Sequence, residues 1–185
     1  MTENKIYLVN HRPPNCESLK SITRLPKKEA FDLAKKLQKE VDVSEAYMRF
    51  KDDQFKAYYE IRMRAEKWLY EKFIEVGGKP QTKHPIYFYV HKWHMEDRFW
   101  ETKVTERIEL DSIDDSDISF IFGDSCGEVD RANRKEPFTK ADLLEYIAEH
   151  DNDIEQLLQT VRHGMIEAQV WNEKYFMEIN QNGTK

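Results

Sequence analysis

The stretch from Asp53 to Val76, DQFKAYYEIRMRAEKWLYEKFIEV, constrains this chain more than any other. Its apolar residues Phe55, Tyr58, Ile61, Ala65, Trp68, Leu69, Phe73 and Val76 recur in steps of three and four. That spacing puts them on one face of a 3.6-residue helix. Glu60, Arg64, Lys67, Glu71 and Glu75 fall on the other face. Gly77-Gly78 and then Pro80 stop the pattern, because glycine accepts the left-handed closing turn and proline cannot continue a helix. A helix over this segment would span about 36 Å at its rise per residue. Aromatic side chains along so long a stripe need a broad apolar partner. The expectation is a long central helix on which a sheet made by the rest of the chain packs.

The remaining sequence supplies that sheet. Ile6-Tyr7-Leu8-Val9 reads as a buried strand, and Pro85 to Val90, PIYFYV, as a central one, since β-branched and aromatic residues suit a pleated surface. Val104 to Leu110 reads as a strand with one wet face, Ile118 to Phe122 as a strand stopped by Gly123-Asp124, and Met165 to Trp171 as the last strand. A helix starts at Pro26 and runs to about Lys39. Another is capped by Thr139 with Asp142 three residues on, a capping-box start. Its pattern resumes through Ile154, Leu157, Leu158 and Val161. Val41 to Lys51 fits a short helix or a loop, residues 92–102 read as loop, and Cys126 to Pro137 as polar loop. The fold class is therefore α+β: one domain over residues 1–179, a mixed or antiparallel sheet of four or five strands, and a disordered tail at 180–185.

A length of 185 residues suits one domain with a substantial core. Charged residues are 35% of the chain and the net charge is −6, which argues against a general nucleic-acid coat. The charge is uneven, with 16 basic and 11 acidic residues from Lys20 to Lys83, and 12 acidic and 3 basic from Glu96 to Asp130. A dipolar surface of this kind steers an anionic ligand toward the first half, or is simply a pair of solvated faces. Two cysteines, Cys16 and Cys126, make no disulfide framework, and no apolar run is long enough for a membrane span. The expectation is a cytoplasmic protein with reduced thiols.

Familiar chemical motifs are thin. His91 and His94, with His84, Glu96 and Asp97 nearby, offer imidazole and carboxylate. They lack the i, i+4 helical placement of a zinc helix and no cysteine pair assists, so no metal is expected. The acidic run Asp111 to Asp117 lacks the glycine and closing glutamate of a calcium loop. No phosphate-cradling glycine loop and no GxSxG is present.

Three strands carry a more suggestive set. The first ends in His11, the second holds Tyr87 and Tyr89, and the last carries Glu167 among apolar residues. This resembles the histidine–tyrosine–glutamate arrangement of ADP-ribosyltransferases, and looks most like the bacterial branch that modifies nucleic acid. Leu19 and Ile22 after the histidine, and ISFIFGDSC from Ile118 to Cys126, are similar to further pieces of that branch. The resemblance covers about a third of the chain in short pieces. It implies NAD as the substrate, with His11, Tyr87 or Tyr89, and Glu167 as catalytic residues. It also implies Arg12 or Arg24 beside the diphosphate, and a nucleic acid or protein as acceptor. Breaking the nicotinamide–ribose bond builds positive charge on the ribose, which a carboxylate stabilises. Gln169 stands where subfamilies with a paired motif place the catalytic glutamate. The ordinary alternative is that His11 is a strand-end polar residue, the tyrosines are core and Glu167 lies on a wet face.

A non-catalytic role is the other function class. Tyr87, Tyr89, Trp93, Phe99 and Trp100 gather aromatics around an acidic segment, and such surfaces anchor protein partners. An interaction or immunity-type protein follows from that reading.

Overall fold

Alternation along the strands decides which layer each residue meets. The computed structural model describes residues 5–12, 19–39, 49–93 and 104–177. Within them five strands form one antiparallel sheet: β1 (Tyr7–Arg12), β2 (Ile86–Val90), β3 (Val104–Glu109), β4 (Ile118–Phe122) and β5 (Ile166–Val170). Their order is β3-β1-β2-β5-β4, so the first and last strands both flank β2. Leu8, Ile86, Phe88, Val90, Ile118, Phe120, Ile166, Ala168 and Val170 point to one side and form the main apolar cluster. Two helices close that side, α4 (Lys140–Ala148) and α5 (Ile154–Thr160), through Leu143, Ile147, Leu157 and Leu158.

The long helix forms as α2 (Asp52–Glu75). Glu60, Arg64, Lys67, Glu71 and Glu75 are exposed as the stripe requires. Gly77 takes φ +94°, and the Gly77 and Gly78 amides donate back to Ile74 and Phe73 carbonyls at 3.0 and 2.8 Å. That pair of bonds is a Schellman ending. The helix is not the centre of the fold. Trp68, Leu69 and Phe73 cover Ile121 and Trp171 on the second side of the sheet. The amino-terminal half packs Phe55 and Tyr59 against Ala30 and Ala34 of α1 (Lys27–Gln38). The sheet is thus the middle of three layers, and its larger apolar cluster lies on the side away from α2. Three positions depart from the stripe: Val76, at the helix C-cap, is exposed, while Tyr59 and Glu66 are buried.

The Thr139–Asp142 capping box is present. The helical pattern after it breaks at Asp151 and Asn152, both at φ 57°, a conformation these two residue types tolerate. The segment after Gly123 is not all loop. Asp124 caps a short helix, α3 (Ser125–Glu128), its side chain accepting from the Cys126 amide at 2.9 Å. The expected tail at 180–185, Cys16 and most of the ambiguous 41–51 and 92–102 segments lie outside the described residues. Among the described residues no helix is long and apolar enough to cross a membrane.

Candidate functional site

The α2 side of the sheet is where polar groups collect. Val9 pairs with Tyr89, and Tyr89 pairs with Glu167, so one row crosses β1, β2 and β5. Tyr87 pairs with Gln169 in the next row. His11 lies on the same side of β1, two residues from Val9, its ring 6.1 Å from that of Tyr89. His11 is buried and its Nδ1 lies 3.0 Å from Thr105 Oγ1. The residues His11, Tyr87, Tyr89 and Glu167 therefore share one side of three neighbouring strands. Glu167 is not on a wet face: it is 6% exposed.

Above this row α2 lowers charged groups onto the sheet. The Arg62 guanidinium stands 3.4 Å from the centroid of the Tyr87 ring, a cation–π stack. Arg62 also donates to Glu66 Oε1 at 3.1 Å and to Cys126 Sγ at 3.3 Å. Glu66 Oε2 meets His84 Nδ1 at 2.5 Å. A buried carboxylate needs such partners, since leaving it bare in a low-dielectric interior is expensive. Trp93 stacks on Tyr89 at 5.3 Å.

A directed chain of hydrogen bonds holds Glu167. Trp171 Nε1 donates to Ser119 Oγ at 2.9 Å, and Ser119 Oγ donates to Gln169 Oε1 at 2.9 Å. Gln169 Nε2 then donates to Glu167 Oε1 at 2.9 Å. Indole N–H only donates, so the serine hydrogen must turn to the amide oxygen and the amide nitrogen must face Glu167. Ser119, Gln169 and Trp171 are all fully buried. With Oε1 engaged as acceptor, Oε2 is the better place for a proton. Burial, and then the Asp124 charge, push the Glu167 carboxyl up to about 7, against the pull of Arg62 and Gln169. Such a group takes up and releases a proton at neutral pH. Burial also lifts the Tyr89 hydroxyl to about 12 and the Cys126 thiol to about 11, so both stay protonated and Cys126 is no thiolate nucleophile.

The two expected diphosphate ligands do not join this group. Arg12 alternates to the opposite side of β1 from His11 and pairs with Glu106 at 2.8 Å. Arg24 donates to the His84 carbonyl at 2.8 Å and Thr82 Oγ1 at 3.2 Å, and is paired with Glu173. It ties chain segments together instead of facing Glu167. The cation that the strand pattern missed is Arg62. Its signal was present in the sequence, an Arg–Glu pair at i, i+4 beside the apolar stripe. Ser119, alone among apolar residues in ISFIF, was the other sign.

The histidines and the acidic run weighed as metal ligands are taken up by structural contacts. His84 binds Glu66, and His91 lies 3.0 Å from Glu155, while His94, Glu96 and Asp97 lie outside the described residues. Among the described residues no group of three or more His, Cys, Asp or Glu side chains is placed to hold a metal ion. In the acidic run, Asp114 and Asp117 converge on Lys174 at 2.5 and 3.0 Å. Of the supposed partner surface, Tyr87, Tyr89 and Trp93 are half-buried around the Arg62–Glu167 group, and Phe99 and Trp100 lie outside the described residues. No protein-family model, curated protein or solved structure matches this chain.

Proposed function

We propose that this protein is an enzyme whose working group is Glu167, and that it transfers the ADP-ribosyl unit of NAD, as the strand pattern of the bacterial ADP-ribosyltransferases suggests. The observation that carries the reading is the convergence of His11, Tyr89 and Glu167 on one side of β1, β2 and β5, with a carboxyl that titrates near neutrality. In the reaction the bond between nicotinamide nitrogen and ribose C1′ breaks, and its electron pair leaves with nicotinamide. An acceptor nucleophile, on nucleic acid or protein, forms the new bond to C1′ and gives its proton to Glu167. The ionised Glu167 faces the positive charge that grows on the ribose. Tyr89, half-buried and stacked on Trp93, offers a ring to the nicotinamide. Arg62 takes the cationic part that Arg12 and Arg24 do not fill. A cytoplasmic setting agrees with this substrate.

The test is nicotinamide release from NAD, followed by chromatography, beside the melting temperature in millimolar NAD. Wild type is expected to release nicotinamide and to gain several degrees. Glu167→Gln is expected to keep the thermal shift and lose turnover by about 100-fold or more. No release and no shift in wild type would overturn the proposal.

A further inference from the structure

Across the sheet from Glu167, a groove of about 390 Å³ opens between the α3–α4 connection and the outer parts of α4 and α5. That volume lies in the range of small-molecule sites, about 300–1,000 Å³. Its apolar wall is Phe122, Tyr146, Leu157 and Val161. The Phe122 and Tyr146 rings are 5.3 Å apart and both pack against the main core from outside, so each keeps an edge toward solvent. The rim is charged, with Arg131, Lys135 and Arg162 set against one acid, Glu128.

The placement of those charges is the informative part. Arg131 Nε and Arg162 Nη1 reach the same oxygen, Glu128 Oε1, at 3.4 and 3.2 Å. The Glu128 side chain is only 17% exposed and so serves as a fixed anchor. One carboxylate thereby gathers two guanidiniums and balances only one of them. Each guanidinium has five N–H donors in a planar fork; Arg162 gives one to Glu128, while Arg131 lies within ion-pair distance of the same oxygen. Lys135 Nζ, 4.9 Å from the Phe122 centroid, adds a third cation over the ring wall. On a chain of net charge −6 this is a local excess of positive charge beside aromatic surface.

We infer that the groove binds a phosphate ester with a planar ring, of mononucleotide size. The ring lies along Phe122 and Tyr146, and the phosphate oxygens accept from Arg131 and Arg162. A phosphate is favoured over a carboxylate because three cations converge on the rim, and its several oxygens can accept from two forks at once. This site does not depend on Glu167 or on the reaction assigned to it.

Isothermal titration with AMP, adenosine and inorganic phosphate tests the inference on the full chain. AMP is expected to bind at least tenfold more tightly than adenosine or phosphate alone, because ring and phosphate are held together. Arg162→Gln changes an exposed side chain and is expected to weaken AMP at least tenfold with an unchanged melting temperature. Tyr146→Leu is expected to weaken AMP and leave phosphate affinity alone. AMP no tighter than adenosine, or AMP affinity indifferent to Arg162→Gln, would each overturn it. The second outcome would place the nucleotide away from this groove.

Discussion

Along β5, Ile166, Ala168 and Val170 face the main apolar cluster, while Glu167 and Gln169 between them face α2. The same division runs through β4, where Ile118 and Phe120 face one way and Ser119 the other, and through β2, where Phe88 opposes Tyr87 and Tyr89. All five residues of β5 are buried, so the contrast is between two interiors, not between an inside and a surface. The first interior is sealed by dispersion and water exclusion. The second contains two carboxyls, an amide, a hydroxyl, a guanidinium and an indole N–H, each of which must find a partner to be tolerated. The apolar side lends stability. The polar side spends some of it to hold one carboxyl in a fixed orientation with a raised pKa.

Three substitutions would break or sharpen that contrast. On the apolar side, Phe120→Ala removes a fully buried ring stacked on Phe138. The expected loss is about 3–5 kcal/mol by chemical denaturation, from lost transfer energy and the cavity left behind. A loss below about 1 kcal/mol would place the main core elsewhere.

On the polar side, Glu167→Gln is expected to act in the opposite sense and only above acid pH. A carboxyl raised from 4.5 to about 7 holds its proton more tightly in the folded state than in the unfolded state. Its contribution is therefore complete below pH 4.5 and is lost as pH rises through 7. The amide has no such loss. The variant should match wild type at pH 4 and exceed it by about 3 kcal/mol at pH 8. Stability curves that stay parallel between pH 4 and 8 would mean that Glu167 does not titrate there.

Ser119→Ala examines the orienting chain itself. It strands the Trp171 N–H and the Gln169 Oε1 in a dry interior, at a cost of about 1–3 kcal/mol for each unsatisfied group. With its oxygen released, Gln169 no longer has to aim its amide at Glu167, so the carboxyl should titrate higher than in wild type. A carbon-13 titration of the Glu167 carboxyl that is unchanged in Ser119→Ala would show that Gln169 is held by something else.

Most of the elements were legible because their signals are local. The apolar stripe of α2, the Gly77-Gly78 stop and the Thr139–Asp142 cap each lie within one segment, and each formed as the helical period or the capping chemistry requires. The five strands followed from β-prone runs and their punctuation. The grouping of His11, Tyr87, Tyr89 and Glu167 was a matter of pattern until strand order set β1 and β5 on either side of β2. Arg12 and Arg24 stand apart from that group for two different reasons: Arg12 is one residue from His11 and by strand alternation faces away from it, and Arg24 is claimed by Thr82, His84 and Glu173, which are distant in the sequence.

Sequence by itself determined the α+β class, the long helix and the positions that could be buried, since periods of 3.6 and 2 are properties of the backbone. Tertiary structure alone decided that the helix is one layer of three, that Glu66 goes inside with Arg62, and that Glu167 is held by Gln169, Ser119 and Trp171. The Ser119–Gln169 and Trp171–Ser119 bonds join positions 50 and 52 residues apart. A contact of that range leaves no periodic trace in either segment, and it exists only once β4 and β5 lie side by side.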